Sequence, residues 1–301
     1  MTRLALVLMW LLHFLPLSWQ APLGTGFGRL LFLLGRERRQ VALTNLRLCL
    51  PQLDEGERLT LAKRHFEVFG RSFLERGLLW WASPERLRRL VSIEGLEHLR
   101  AVEGRPVILL VPHFVGLDIG GTRVMLEFDI VSIYANQKNL LFNAALLKGR
   151  SRFGGSTLLS RQEGTRKAIK AMRAGKPFYY LPDMDYGERD TIFVPFFGVQ
   201  AATITGLSRL ARLCGAAVLP VITRMLPGGA GYRVSIGEAW ANFPGPSIEE
   251  DTRRMNAYIE TQIMTMPEQY FWLHKRFKTR PAGEKSPYQA HEPLAPRRAA
   301  S

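Results

Sequence analysis

Residues 107–111 read Val-Ile-Leu-Leu-Val, an unbroken apolar run that ends at Pro112-His113. A run of this kind has no polar side to turn to water, so it predicts a strand buried on both faces of a sheet. Helices packed over both faces of a largely parallel sheet meet that demand. Similar short runs occupy Ile130–Ala135, Phe178–Leu181 and Ala217–Ile222. Helical signals lie between and around them. Asp54 with Glu57 predicts a capped helix through His65, Phe69 and Phe73, and Ser83-Pro84 predicts the start of a short basic helix over Glu85–Leu90. Ser160-Arg-Gln-Glu163 has capping-box spacing and predicts a helix ended by Gly175. Ala202–Cys214 reads as helical, and Ser247-Ile-Glu-Glu250 opens a helix to about Met266. Strands alternating with helices argue for a layered α/β domain.

The apolar stretch at residues 4–17, LALVLMWLLHFLPL, is interrupted only by His13 and Pro16. Fourteen helical residues cover roughly 21 Å, short of the roughly 30 Å hydrocarbon core, and extension through Trp19 to Leu23 reaches spanning length. A cleaved signal peptide is disfavoured because Ser18-Trp-Gln-Ala21 is a poor small-residue cleavage site. The segment to residue 35 is therefore expected to be a membrane anchor helix, spanning the bilayer or lying in its plane. Arg36, Arg38 and Arg39 outweigh Arg3, which places the rest of the chain on the cytoplasmic side. Residues 36–280 form the expected globular domain, and the Pro- and Ala-rich residues 281–301 an expected disordered tail. Leu78-Leu79-Trp80-Trp81 reads as core or as membrane-interface surface.

The 301 residues carry 41 basic and 26 acidic side chains, a net charge of +15. Such a charge suits an anionic membrane, an acidic carrier protein or nucleic acid. Nucleic acid is set aside because no RNP-like or helix-turn-helix pattern is present. Two cysteines, Cys49 and Cys214, are too few for a disulfide framework or a cysteine zinc site.

His113 closes the buried-type strand, and Asp118 follows among Gly116, Gly120 and Gly121. A histidine suits proton transfer near neutral pH, and a carboxylate on its second nitrogen would fix the tautomer. The alternative is a structural histidine. A helix starting here would add backbone N–H groups able to stabilise an oxyanion. No G-x-S-x-G elbow, H-E-x-x-H, Walker loop or Rossmann glycine pattern occurs, and a base without a protein nucleophile points to direct attack by a substrate group, as in acyl transfer. Arg150 and Arg152 in Lys148-Gly-Arg-Ser-Arg152 read either as a phosphate grip or as a solvated basic loop. Asp183 and Asp185 are weak metal ligands and are expected to orient Arg150 or to close the strand after Tyr180. Phe193–Phe197 reads as core or as the lining of an acyl-chain cleft. His65, His98 and His291 carry no partner signal, and His274 lies in the C-terminal Trp-Leu-His-Lys-Arg block, which is expected to be a membrane- or phosphate-facing surface and not a second catalytic site.

The segment His113-x-x-x-x-Asp118 after an apolar strand resembles the His-x4-Asp/Glu motif of glycerolipid-type acyltransferases. More specifically, the chain resembles the late acyltransferases of lipid A biosynthesis, the lauroyl/myristoyl transferase family. Supporting blocks in the same order are Asn45–Pro51, Phe66–Glu75, Gly149-Arg150, Pro182-Asp-Met-Asp-Tyr-Gly187, Phe193–Gly198 and Pro267–Pro281. The resemblance implies a layered mixed sheet flanked by helices with an N-terminal anchor, at the bacterial inner membrane. It implies transfer of a fatty acyl chain from acyl carrier protein to a hydroxyl of a phosphorylated lipid A precursor, without cofactor or metal. By the same resemblance His113 is the base, Asp118 its orienting acid, and Arg150 and Asp183 are positions needed for activity. Asp185, Tyr186 and Arg189 lie in the same block as Asp183 and are expected to bind substrate. Another membrane lipid as acceptor, or a non-catalytic lipid-binding protein, are the rival readings.

Overall fold

The computed structural model describes residues 2–160 and 163–288. Its centre is a seven-stranded sheet of β1 (Val91–Glu94), β2 (Val107–Leu110), β3 (Val131–Tyr134), β4 (Thr157–Ser160), β5 (Phe178–Tyr180), β8 (Ala217–Met225) and β9 (Tyr232–Ile236). The order is β1-β9-β8-β2-β5-β3-β4, and every pair is parallel except β8 with β9. β6 (Thr191–Phe196) and β7 (Val199–Ile204) form a separate antiparallel hairpin. The layered mixed α/β sheet flanked by helices is thus the fold observed. All four apolar runs became strands.

β2 lies centrally, and its side chains alternate between two cores. Ile108 and Leu110 point to one face with Phe66, Leu207, Ile259 and Trp272. Val107, Leu109 and Val111 point to the other with Leu78, Ile119 and Leu146. The first face is covered by α3 (Arg36–Cys49), α4 (Glu55–Leu74), α10 (Thr165–Arg173), α11 (Gly206–Cys214) and α12 (Ile248–Thr265). The second is covered by α5 (Arg76–Trp81), α6 (Pro84–Leu90), α7 (Leu96–Arg100), α8 (Leu117–Met125) and α9 (Leu140–Arg150). Leu78, Leu79 and Trp80 are buried, so that block is core.

Local signals behave as their chemistry requires at three helix starts. Asp54 and Glu57 form the full capping box of α4, Ser83 caps α6, and Ser247 caps α12. At Ser160 the expectation fails. Ser160 ends β4, its N–H and hydroxyl both go to Glu163, and the helix begins only at Thr165 behind Gly164. The helix expected from Ala202 likewise starts at Gly206, because residues to Ile204 pair with β6.

The expected anchor helix is divided. α1 (Thr2–Leu12) and α2 (Leu17–Leu34) are separated at His13–Pro16, and among the described residues no helix is long and apolar enough to cross a membrane. Proline supplies no N–H to continue α1, and the freed carbonyls are taken by the protein. Arg86 of α6 donates to the oxygens of His13 and Leu15, and Gln20 Nε2 donates to Leu15 O at 3.0 Å. α2 then lies against α4 at backbone contact. A Cβ on Gly28 would stand 2.1 Å from Phe66 O, and one on Gly70 2.5 Å from Gly24 O. At the other end of the chain, residues 281–288 of the expected tail close on the domain, where Tyr288 O–H donates to Asn45 Oδ1 and accepts from Phe277 N–H. Residues 289–301 lie outside the described residues.

Two outcomes follow for stability. Gly28→Val forces α2 off α4 and is expected to cost about 3 kcal/mol, whereas Gly26→Ala, with nothing within 4 Å of the added Cβ, raises the melting midpoint slightly because alanine is the better helix former. His65, fully buried in α4, donates Nδ1–H to Glu268 O at 2.9 Å, and burial lowers its pKa from 6.5 to about 4. The unfolded chain therefore holds the extra proton between those values. His65 supports the fold fully above about pH 6.5 and loses that support as pH falls toward about 4, by up to about 1.4 kcal/mol per unit. Thermal melts of wild type and His65→Asn from pH 7.5 to 5 should show the shallower slope in the variant.

Candidate active site

β2 and β5 run parallel with Leu110 opposite Tyr180. Three residues beyond each member of that pair stand His113 and Asp183, so the register alone delivers them to one sheet edge. Asp183 accepts twice from His113, from the backbone N–H at 2.9 Å and from Nδ1 at 2.6 Å. An ionised carboxylate only accepts, so Nδ1 carries the proton and Nε2 keeps its lone pair. The Asp183 side chain is fully buried while 13% of the His113 side chain remains exposed. Burial works to raise the Asp183 pKa, but the His113 ring and both hydrogen bonds outweigh it and hold the carboxyl below its usual range.

This corrects the expected roles. The carboxylate on His113 is Asp183, not Asp118. Asp118, one residue into α8, accepts from Arg150 at 2.5 Å through Oδ1 and pairs with Arg76 at 3.4 Å through Oδ2. Burial would raise its pKa, yet Arg150 and Arg76 bring it down to about 2. At the start of α8, Asp118 turns its carboxylate to Arg150 and Arg76 and not to the His113 ring. Arg150 closes α9 and reaches it from the second face. Asp183 and Asp185 do not orient Arg150.

Arg76 was missed by the sequence reading. It follows directly on the Phe66–Glu75 block, and nothing in that stretch distinguishes it from other surface arginines until α5 is laid beside α8. Below it, Glu75 is buried between Arg71, at 3.1 Å, and the hydroxyl of Tyr232. Burial raises the Glu75 pKa against the pull of both partners. Glu75, Arg76, Leu79, Gly116, Asp118 and Tyr232 line a narrow crevice beside the pair of arginines. Arg152 is consumed elsewhere: it donates to Ala82 O at 2.5 Å at the end of α5 and stacks on Phe153.

The C-terminal block, expected at the surface, is instead a strap across the site. Phe114 and Tyr270 pair as an antiparallel bridge, Val115 N–H donates to Gln269 O and Phe271 N–H to His113 O, both at 2.9 Å. Asn45 of α3 holds the strap by donating to the oxygens of Trp272 and His274 at 2.7 and 2.8 Å. His274 accepts from Asp185 N–H through Nε2 at 2.8 Å, and burial, with the charges of His113 and Arg276, lowers its pKa to about 4. Asp185 accepts from Gly187 N–H and from the backbone and hydroxyl of Thr279, so it locks a loop. Tyr186 donates to Leu181 O at 2.8 Å, and Arg189 extends from that loop, 95% exposed, beside Asp190. The structure gathers His113, Asp183, Asp118 and Arg150, and leaves Arg189 apart. In the Phe193–Phe197 run Phe196 is fully buried and Phe193 is 37% exposed.

Comparisons with known proteins agree in extent. A profile of the bacterial lipid A biosynthesis acyltransferase family matches residues 1–279. The lipid A biosynthesis lauroyltransferase of Escherichia coli (strain K12) is 35% identical over 291 residues, covering 96% of this chain and 94% of that one. The palmitoleoyltransferase of the same organism is 33% identical with the same coverage, and its myristoyltransferase 32% identical, covering 91% and 85%. Among solved structures, the 1-acyl-sn-glycerophosphate acyltransferase PlsC from Thermotoga maritima aligns with a TM-score of 0.38 and 15% identity over 81% of this chain and 96% of that one, a likeness too distant to inform the site. With a family profile spanning nearly the whole chain and relatives above 30% identity along most of their own length, the chain belongs to the bacterial lipid A biosynthesis acyltransferases and is an acyltransferase.

Proposed function

We propose that this acyltransferase moves a fatty acyl chain from acyl carrier protein to a hydroxyl of a phosphorylated, Kdo-bearing lipid A precursor, on the cytoplasmic face of the inner membrane. The observation that carries the reading is the His113–Asp183 pair at the parallel sheet edge. His113 Nε2 takes the proton of the acceptor hydroxyl as its oxygen attacks the thioester carbonyl. Asp183 holds the ring in the tautomer that leaves Nε2 basic and stabilises the imidazolium as it forms. The tetrahedral intermediate collapses with loss of the pantetheine thiolate, and the imidazolium returns its proton to that sulfur. The N–H groups of Asp118 and Ile119 precede the first bond of α8, Gly120 N–H to Gly116 O. They support an oxyanion at this end of the helix.

The second cluster supports the acceptor. Two arginines on one carboxylate leave one positive charge unmatched, and Asp118 at about 2 stays ionised throughout the working range. A guanidinium edge held in this way suits a phosphate group. The names of the relatives point to lipid A as the acceptor, and the +15 charge suits both an acidic carrier protein and an anionic membrane.

Product mass, read after incubation with a panel of acyl carrier protein thioesters and the tetra-acylated precursor, tests the reading. Wild type should add one acyl mass, while His113→Ala and Asp183→Asn lose about 10²–10⁴-fold in kcat and still melt cooperatively. Arg150→Gln should raise KM for the phosphorylated acceptor more than for the thioester. Retention of near-wild-type turnover by His113→Ala would overturn the mechanism. Product formed only with a phospholipid or glycolipid panel would replace the acceptor.

A further inference from the structure

α1 and α2 are built inside out for helices in water. On α2 the face toward the domain buries Gln20, Ala21, Gly24 and Gly28 between Leu17 and Phe32 at its ends, while Trp19, Leu23, Leu30, Leu33 and Leu34 are 49–73% exposed. Those five fall on a single stripe at 3.6 residues per turn. On α1, Leu4, Val7, Leu8 and Leu11 make a second stripe, each at least 51% exposed, with Met9 buried behind it. The stripes are joined through Trp10 and Phe14, whose exposed rings meet edge to face at 5.0 Å. Leu140 and Leu141 at the start of α9, 81% and 48% exposed, extend the surface beside α1, where Asn139 Nδ2 donates to Thr2 Oγ1 at 2.7 Å. An exposed apolar surface on this scale marks a site that something covers.

Three observations choose the occupant. Residues 2–36 contain no Asp or Glu, and the nearby basic residues Arg3, Arg29, Arg36, Arg38, Arg39 and Lys138 outnumber the acidic neighbours Glu37 and Glu67, which pair with Lys275 and Arg29, so the surface complements anionic headgroups. The helices cannot straighten into one span without removing the oxygens of His13 and Leu15 from Arg86 and Gln20. Gly28 and Gly70 also keep α2 flat along α4. We propose that α1, α2 and the first turn of α9 form a one-leaflet anchor, with both helices lying in the plane of an anionic bilayer and neither crossing it. This rests on the membrane reading above and gives it a geometry. α9 carries the exposed leucines at its start and Arg150 at its end, so an acceptor lipid reaches the arginine pair from the leaflet in which the protein sits.

Topology tests this without any substrate. In inside-out membrane vesicles, Arg3→Cys and Lys285→Cys, each in a Cys214→Ser background, are treated with a membrane-impermeant maleimide. Labelling of both from outside is expected; labelling of Arg3→Cys only after detergent would show a spanning segment and overturn the proposal. The double variant Leu8→Glu/Leu33→Glu should bind vesicles of phosphatidylethanolamine and phosphatidylglycerol at least about 100-fold more weakly than wild type, with its melting midpoint unchanged because both sites are exposed. Equal binding by the variant would also overturn it. Because neither readout needs turnover, failure of the anchor and failure of the acyl-transfer reading are separable: an inactive enzyme can still bind and label as expected, and an active one can span.

Discussion

The two hydrogen bonds from His113 to Asp183 depend on one strand register, and most of the site follows from them. β2 and β5 are central, parallel and covered on both faces, so a slip of one residue would turn every side chain of β2 into the wrong core. The packing that forbids the slip also sets the two loop residues side by side. Asp183 is bonded to backbone as well as to ring, which fixes the loop and the imidazole together. The strap at residues 269–274 then grips the same loop from the other side through the Phe114–Tyr270 bridge.

Charge is divided into two neighbouring units with different tasks. Asp183 faces the His113 ring in a buried setting, with the Tyr270 hydroxyl beside it, and governs the ring's tautomer. Asp118 faces two arginines and stays ionised, so it arranges cations rather than receiving a proton. The buried Arg71–Glu75–Tyr232 group behind Arg76 ties the end of α4 to β9, and so steadies the helix from which Arg76 reaches the site.

The N-terminal helices obey packing rules opposite to those of the rest of the chain. Elsewhere bulky apolar side chains fill the core, whereas α2 meets α4 mainly through Gly24 and Gly28, with Phe32 on Phe66 at its end, and turns most of its leucines to the exterior. Close approach of two backbones needs glycine at the contact, and in α2 that need places leucine and tryptophan on the outer stripe.

The sequence by itself determined the layered α/β class, because continuous apolar runs admit no other burial, and it determined the starts of α4, α6 and α12, because capping is chemistry between near neighbours. It also marked His113, Asp118, Arg150 and Asp183. Tertiary structure decided who partners whom. Asp118 is five residues from His113 and Asp183 is seventy, yet the parallel register carries the distant carboxylate to Nδ1 while α8 turns the near one toward Arg150. The four-residue displacement of the α10 start, from Ser160 to a cap at Gly164, shows how short elements take their limits from neighbours. Arg76 and His274 were invisible for the same reason: their roles come from contacts across the fold, and spacing along the chain encodes only contacts within one element.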